Sequence, residues 1–372
     1  MTVIPLTGAP RYYDWGSRTM IQNLMGGKNS GQSWQPPAEL WFGAHPDSPS
    51  DAFGLPLDQR IAADPVGMIG RQAVKAFGPT LPYLVKILAA DRPLSIQVHP
   101  TREQAEAGHL WEEMAEVPLD SPKRTFRDRN HKPELIVALS RFEALCGFRP
   151  VEATIELLEG LPGLAPLRDI LREDGLRAAM AVVLDPDLTS DAVIALTRSV
   201  LDCEDRALRG AQHAIACFPG DPGGLVALLL NYVVLHPGEG LYLGAGQVHA
   251  YLRGMGVEIM ASSDNVLRAG LTTKHVDTER LLAHADFTAR EVHPLRTDWF
   301  VPPVPDFRLN RVQVEQVDRR LLLGPCLVLC TSGKAHLDDC ALDPGEAAFI
   351  PASSDVVALT GDGEVFIAKD NL

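Results

Sequence analysis

The chain has 372 residues, enough for two or three domains with a buried core and no need of disulfide staples. Its 34 Lys and Arg stand against 48 Asp and Glu, a formal net charge of −14, with no long basic run; nucleic acid and anionic membrane surfaces are excluded as partners, and an anionic ligand needs a local cluster of cations. The longest strongly apolar stretch, Leu225 to Leu235, is interrupted by Asn231 and Tyr232 and falls far short of the ~20 residues of a membrane span.

The opening MTVIPLTGAP has neither a charged start nor a long apolar run, so no secretory signal is read and a cytoplasmic protein is expected. Through the first 150 positions, and again after the middle of the chain, glycine and proline (31 and 29 residues) punctuate short apolar runs, the texture of a β protein with many turns. In PYLVKILAADRPLSIQVHP, Leu94, Ile96 and Val98 alternate with Ser95, Gln97 and His99, which predicts a strand with one polar face. Such a face either carries a metal site or stays solvated, and the spacing leaves both open. HKPELIVAL sets Glu134 just ahead of an apolar strand, with Pro133 keeping Lys132 extended. A carboxylate there reaches into a cavity or simply stays wet. From about residue 151 to 230, IELLEGL, LAPLRDILRED, SDAVIALTRSVL and PGGLVALLL repeat apolar residues at three- and four-residue spacing, predicting a helical insertion. The β texture returns with NYVVLHPGEGLYLGAG, GQVHAYL adds His249, and EIMASSDNVLRAGLTTKHVD adds Glu258, Arg268 and Lys274. VPPVPDF reads as the connection into a second barrel, with no function assigned, and GEVFIAKDNL as a closing strand. The six cysteines form no C-x-x-C pair and fit free thiols in a reducing compartment, Cys326 and Cys330 as core residues.

The stretch HPGEGLYLGAGQVHAYL from His236 is repeated as DPGEAAFIPASSDVVAL from Asp343, each reading turn, strand, turn, strand, the hairpin rhythm of a jelly-roll barrel. His249 in the first copy corresponds to Val356 in the second, so one barrel is expected to hold a polar site and the other to be mainly structural. Gln97, His99, Glu134 and His249, drawn from three strand segments, together suit a divalent ion such as zinc with water completing the site. Lys86, Lys132, Arg268 and Lys274 lie close to these residues in sequence; they suit a phosphate, or else are separate surface charges.

The runs YDWGS (Tyr13–Ser17), AELWFGAHP (Ala38–Pro46), PYLVKILAADRPLSIQVHP, HKPELIVAL and VHAYLRGMGVEIMASSDNVLRAGLTTKHVD resemble, in order, those of the type I mannose-6-phosphate isomerases. The resemblance implies a mainly β fold of two cupin-type jelly-roll barrels with an inserted α-helical domain. Residues 1–150 would begin the catalytic barrel, 151–231 form the helical insertion, 232–290 complete the barrel, and 291–372 form a degenerate C-terminal barrel. It further implies one Zn²⁺ per chain on Gln97, His99, Glu134 and His249, a catalytic Arg268, and a substrate and phosphate group of Ser95, Lys86, Lys274 and Trp15. Thr273 and His275 depart from the family's usual Pro and aromatic residue, leaving the local shape beside Lys274 open.

The implied activity interconverts an aldose and a ketose phosphate through a cis-enediol, which needs a base, an electrophile and a dry pocket. Arg268 is expected to stabilise the enediolate oxygen, Lys132 or Glu258 to carry the proton, and His131 to assist ring opening. The expected partner is a small sugar phosphate, and the expected state a monomer. A cupin oxygenase and a non-catalytic sugar-phosphate sensor are the competing readings; the Gln ligand and the cations speak against the first.

Overall fold

Apolar residues that alternate in period two build strands with two usable faces, and here both faces are covered. The computed structural model describes residues 2–27 and 36–372, and among them the strands pair antiparallel in two sheets. The sheet that carries the site is organised by the long strand His249–Ala261. Its first part pairs with Phe142–Phe148 and meets Gln97–Val98, and its second part lies between Tyr83–Ala90 and Glu134–Ala138. The register shifts between Tyr251 and Arg253. Next to the shift, Gly254 has φ 123°, and a Cβ there would lie 2.5 Å from the Arg141 carbonyl oxygen, so only glycine lets the strand bend here. The bend wraps the sheet around an interior of Leu88, Ala90, Ile136, Phe142, Leu241 and Tyr251.

Consecutive helices run from Val151 to Leu229 and rest their apolar faces on Ile96, Val98, Ala250 and Leu252. Residues one position away on the same strands, Gln97, His249 and Tyr251, therefore face the other way, into the barrel. The opposite outer face of the sheet, with Val85, Ile87, Leu135, Val257 and Ile259, packs against Phe300, Leu309, Leu327, Phe349 and Phe366 of the second β unit. That unit has its own interior of Val312, Val328, Val357 and Val365.

The internal repeat is a repeat of structure. Strands Gly240–Leu243 and Ala347–Ile350 follow equivalent turns, in which Glu239 accepts from the His236 amide at 2.9 Å and Glu346 from the Asp343 amide at 3.0 Å. Gly238 and Gly345 hold φ of 88° and 84° in these turns.

Two features differ from the sequence reading. The first strand, Ile4–Leu6, pairs with Ala347–Ile350 of the second sheet rather than with the first, because Ile4 and Leu6 are buried between the two units. The N-terminal 150 residues also contain the helices Leu57–Ala63, Pro65–Phe77 and Arg102–Met114, so they are not strands alone. Among the described residues no helix is long and apolar enough to cross a membrane.

Candidate metal centre and substrate site

His99 follows the Gln97–Val98 strand, Glu134 opens its own strand, and His249 opens the long one; the fold brings all three together inside the first barrel, each almost fully buried. His99 Nε2 lies 3.3 Å from Glu134 Oε1, and His249 Nε2 lies 3.4 Å from Glu134 Oε2. Each imidazole is oriented from behind: His99 Nδ1 is 2.8 Å from the Asn265 carbonyl oxygen and His249 Nδ1 is 2.8 Å from that of Gln247. A carbonyl only accepts, so both rings carry a proton on Nδ1 and turn Nε2 toward the carboxylate. His99 Nε2 is buried without a hydrogen bond. Burial, outweighing the pull of Glu134, pushes the His99 imidazole down to about 4, so it is neutral near pH 7. Burial works the other way on Glu134, but His99, Lys132 and His249 outweigh it and hold the carboxyl well below its usual range. The lone pair of the neutral His99 ring and a carboxylate repel one another in a dry pocket unless a cation stands between them. Rings fixed through Nδ1 are the usual support of such a cation, so the residues present fit a divalent metal.

Gln97 stands directly across from His249 on one side and from Arg268 on the other, which puts the three side chains on one face. Its Nε2 donates to Ser95 Oγ at 3.2 Å, leaving the amide oxygen available as a further ligand. Lys132 Nζ lies 3.5 Å from Glu134 Oε1. Lys86 and Glu258, directly opposite on neighbouring strands, form a buried ion pair at 3.0 Å. The Lys86 ammonium also sits 5.0 Å from the centre of the Trp41 ring, whose Nε1 donates to Glu39 at 2.7 Å. Burial raises the Glu258 carboxyl even against Lys86.

Arg268 and Lys274 share their surroundings with Arg127. Burial and then Arg127 push the Arg268 guanidinium down; burial, Arg268 and Arg127 do the same to Lys274. Among the described residues none of the three cations is in an ion pair. Arg127 is brought there by Asn265, whose side-chain oxygen accepts from the Arg127 amide at 2.7 Å. The loop between Arg268 and Lys274 is tied to the helical block by Asp221, which accepts from the amides of Leu271 at 2.7 Å and Thr272 at 3.3 Å.

A buried two-histidine, one-carboxylate set lies beside cations that are in no ion pair among the described residues. Residues 3–151 match the model of the phosphomannose isomerase type I catalytic domain. The chain is 36% identical to the mannose-6-phosphate isomerase of Escherichia coli (strain K12), over 97% of both chains, and 32% identical to that of Bos taurus, over 84% and 82%. The chain belongs to the type I mannose-6-phosphate isomerase family. A crystal structure of mannose 6-phosphate isomerase from Salmonella typhimurium bound to its substrate fructose 6-phosphate and to zinc superposes with a TM-score of 0.92 at 33% identity, covering both chains completely. A second family structure, bound with zinc and yttrium, also gives a TM-score of 0.92 at 33% identity.

Within this family fold, two expected site residues have other surroundings. His131 Nε2 is 2.8 Å from Asp306, a buried residue of the segment leading to the second barrel, and among the described residues no hydrogen bond or ion pair joins it to Glu134. The Trp15 ring stacks on Tyr13 at 5.0 Å and packs with Leu94 against the barrel interior. Leu94 thus shares the interior side, whereas Ile96 and Val98 face the helices; the alternation expected from Leu94 onward begins only at Ile96. The sequence reading passed over Asn265, Arg127 and Asp306. Asn265 stands inside the DNVLRAG run and donates to the backbone oxygens of Asp128 and Asn130, so the motif itself carried that signal. Arg127 and Asp306 had none beyond their charge.

Proposed function

We propose that this chain is a metal-dependent mannose-6-phosphate isomerase, interconverting D-mannose 6-phosphate and D-fructose 6-phosphate through a cis-enediol. The observation that carries the reading is the buried His99, Glu134 and His249 set, with both Nε2 atoms turned on the carboxylate, beside cations that lack counter-charges. Gln97, His99, Glu134 and His249 would hold one zinc ion, which when bound supplies a Lewis acid for the sugar oxygens. Arg268, on the same face as Gln97 and His249, stabilises the enediolate oxygen as charge develops. Glu258 and Lys132 are the candidate proton carriers between C1 and C2. Glu258 is favoured as the base, because burial raises its carboxyl toward neutral pH while Lys86 keeps it in place.

The phosphate is held by Lys274, with Arg127 added to the expected group and Ser95 beside Gln97. Trp15 shapes the apolar wall. Lys86 is the member of the expected group whose placement argues against direct contact with phosphate, since its ammonium is already neutralised by Glu258 inside the barrel. The division of the chain at residues 150, 231 and 290 is kept as a working description, except for the N-terminal strand. The protein acts as a monomer in the cytoplasm.

The test is turnover of mannose 6-phosphate by the zinc-loaded protein, with formation of fructose 6-phosphate followed before and after chelation. Activity lost to chelator and restored by zinc is expected. A correctly loaded protein that binds the sugar phosphate without converting it would be a sensor and would sink the isomerase reading.

A further inference from the structure

The segment VPPVPDF had no assigned role in the sequence, and His131 lies apart from the metal set; the structure joins the two. Asp306 is completely buried, with Oδ2 2.8 Å from His131 Nε2 and Oδ1 3.3 Å from Arg102 Nη2. Arg102 Nη2 also lies 3.0 Å from His131 Nε2. A guanidinium only donates and a carboxylate only accepts, so Nε2 can serve one of these neighbours but not both. The shorter contact, to the carboxylate, puts the proton on Nε2 and turns Arg102 to Asp306. In the neutral ring Nδ1 then bears the lone pair, and it has no hydrogen bond among the described residues. This is the opposite tautomer from that of the two metal-facing histidines.

The chain holds Asp306 in place by an unusual route. Three prolines, Pro302, Pro303 and Pro305, remove amides from this segment, so its own backbone has few donors with which to anchor itself. Asn371, next to the C-terminus, supplies the anchor: its side-chain nitrogen donates to the carbonyls of Pro302 at 3.1 Å and Val304 at 3.0 Å, and its amide to that of Pro305 at 2.9 Å. Phe307, the next residue after Asp306, is buried in the cluster between the two β units.

We propose that Asp306 is a positioning residue for the isomerisation: the Pro-rich segment, clamped by Asn371, presents its carboxylate to His131 and fixes the ring so that Nδ1 acts as the base that opens the sugar ring. In that step the anomeric hydroxyl loses its proton to Nδ1 and the C1–O5 bond breaks with its electron pair passing to O5. O5 takes a proton from water, leaving an aldehyde at C1 and a hydroxyl at C5, and the imidazolium returns its proton to the hydroxide left behind. The inference rests on the isomerase reading above and on the ring-opening part expected of His131 from the sequence.

The experiment combines three measurements on the zinc-loaded full-length enzyme. Nitrogen-15 spectra of histidine-labelled protein report the tautomer of His131, and Nε2–H is expected. Asp306→Asn should lower kcat by about tenfold or more, with KM and zinc content within about twofold of the parent. In a His131→Ala background the same substitution should change kcat no further, whereas a merely structural loss would add to it. Should Asp306→Asn fail to fold, Asn371→Ala leaves both members of the pair intact and is expected to lower kcat in the same direction. An Nδ1–H tautomer in the parent, unchanged kcat in either variant, or additive losses would overturn the proposal while the isomerase reading stands. Absence of turnover in the parent enzyme would overturn both.

Discussion

Glu134 is the residue on which the centre depends, because two imidazoles and a lysine all address its two oxygens. Glu134→Gln is expected to abolish measurable zinc retention after dialysis, read by metal analysis, while the metal-free protein keeps its fold. The same residues make the metal-free protein sensitive to acid. His99 titrates at about 4 when folded against about 6.5 unfolded, so between these values the unfolded chain binds more protons. Stability then rises with pH: it is fully present above about 6.5 and is lost as pH falls through about 4. Glu134, held low as well, adds loss in the same direction below its ordinary range. Urea unfolding of the metal-free protein should show about 2 kcal/mol less stability at pH 5 than at pH 7, and His99→Asn should flatten that difference. His99, Glu134 and His249, which meet in the structure, were legible as candidates because each stands in a short, distinctive run. The Lys86–Glu258 pair was not, since it exists only through the register of two strands far apart in the chain.

At the scale of elements, the helical block does more than cover the barrel. Asp221 Oδ1 accepts from its neighbour Gly223 and from Leu271, both at 2.7 Å. Gly270 has φ 117°, and a Cβ there would lie 2.5 Å from Gly223 Cα, so the helix start and the cation loop touch backbone to backbone. Asp221→Ala leaves several amides without acceptors at this contact and is expected to cost about 2 kcal/mol in thermal or urea unfolding. It should also raise KM for mannose 6-phosphate about threefold or more, with a smaller effect on kcat, because the loop carries Lys274 rather than the proton carriers. The helical block itself was readable from its 3.6-residue rhythm. The helix Arg102–Met114 was readable too, from the Thr101 and Gln104 capping box, but the Gly and Pro punctuation around it spoke for strands. The short polar strand was overestimated for a related reason: alternation from Leu94 to His99 suggests one continuous strand, while only Gln97–Val98 pairs as one.

For the whole molecule, the decisive fact is that the two β units share a core. The outer face of the first sheet, rich in Val and Ile, is covered by Phe300, Phe349 and Phe366 of the second unit, and the N-terminal strand crosses to the second sheet. The repeat of the turn and hairpin showed that a second barrel exists, but nothing in it showed which faces meet, since period-two alternation looks the same whether a face meets solvent or a partner sheet. A packed apolar face of this kind makes the second barrel a structural requirement of the first, although the second lacks the polar site. The chain ending at residue 290 is therefore expected to be recovered as aggregate, with Val85, Ile87, Val257 and Ile259 exposed, rather than as an active half enzyme. Within the full chain, Phe349→Ala removes a fully buried ring from the shared face and should cost about 3–5 kcal/mol. If the units fold as one, fluorescence, circular dichroism and loss of activity will still follow a single urea transition, shifted to lower midpoint. Two separated transitions, with activity surviving the first, would show instead that the catalytic barrel stands alone and that the shared core contributes little to it.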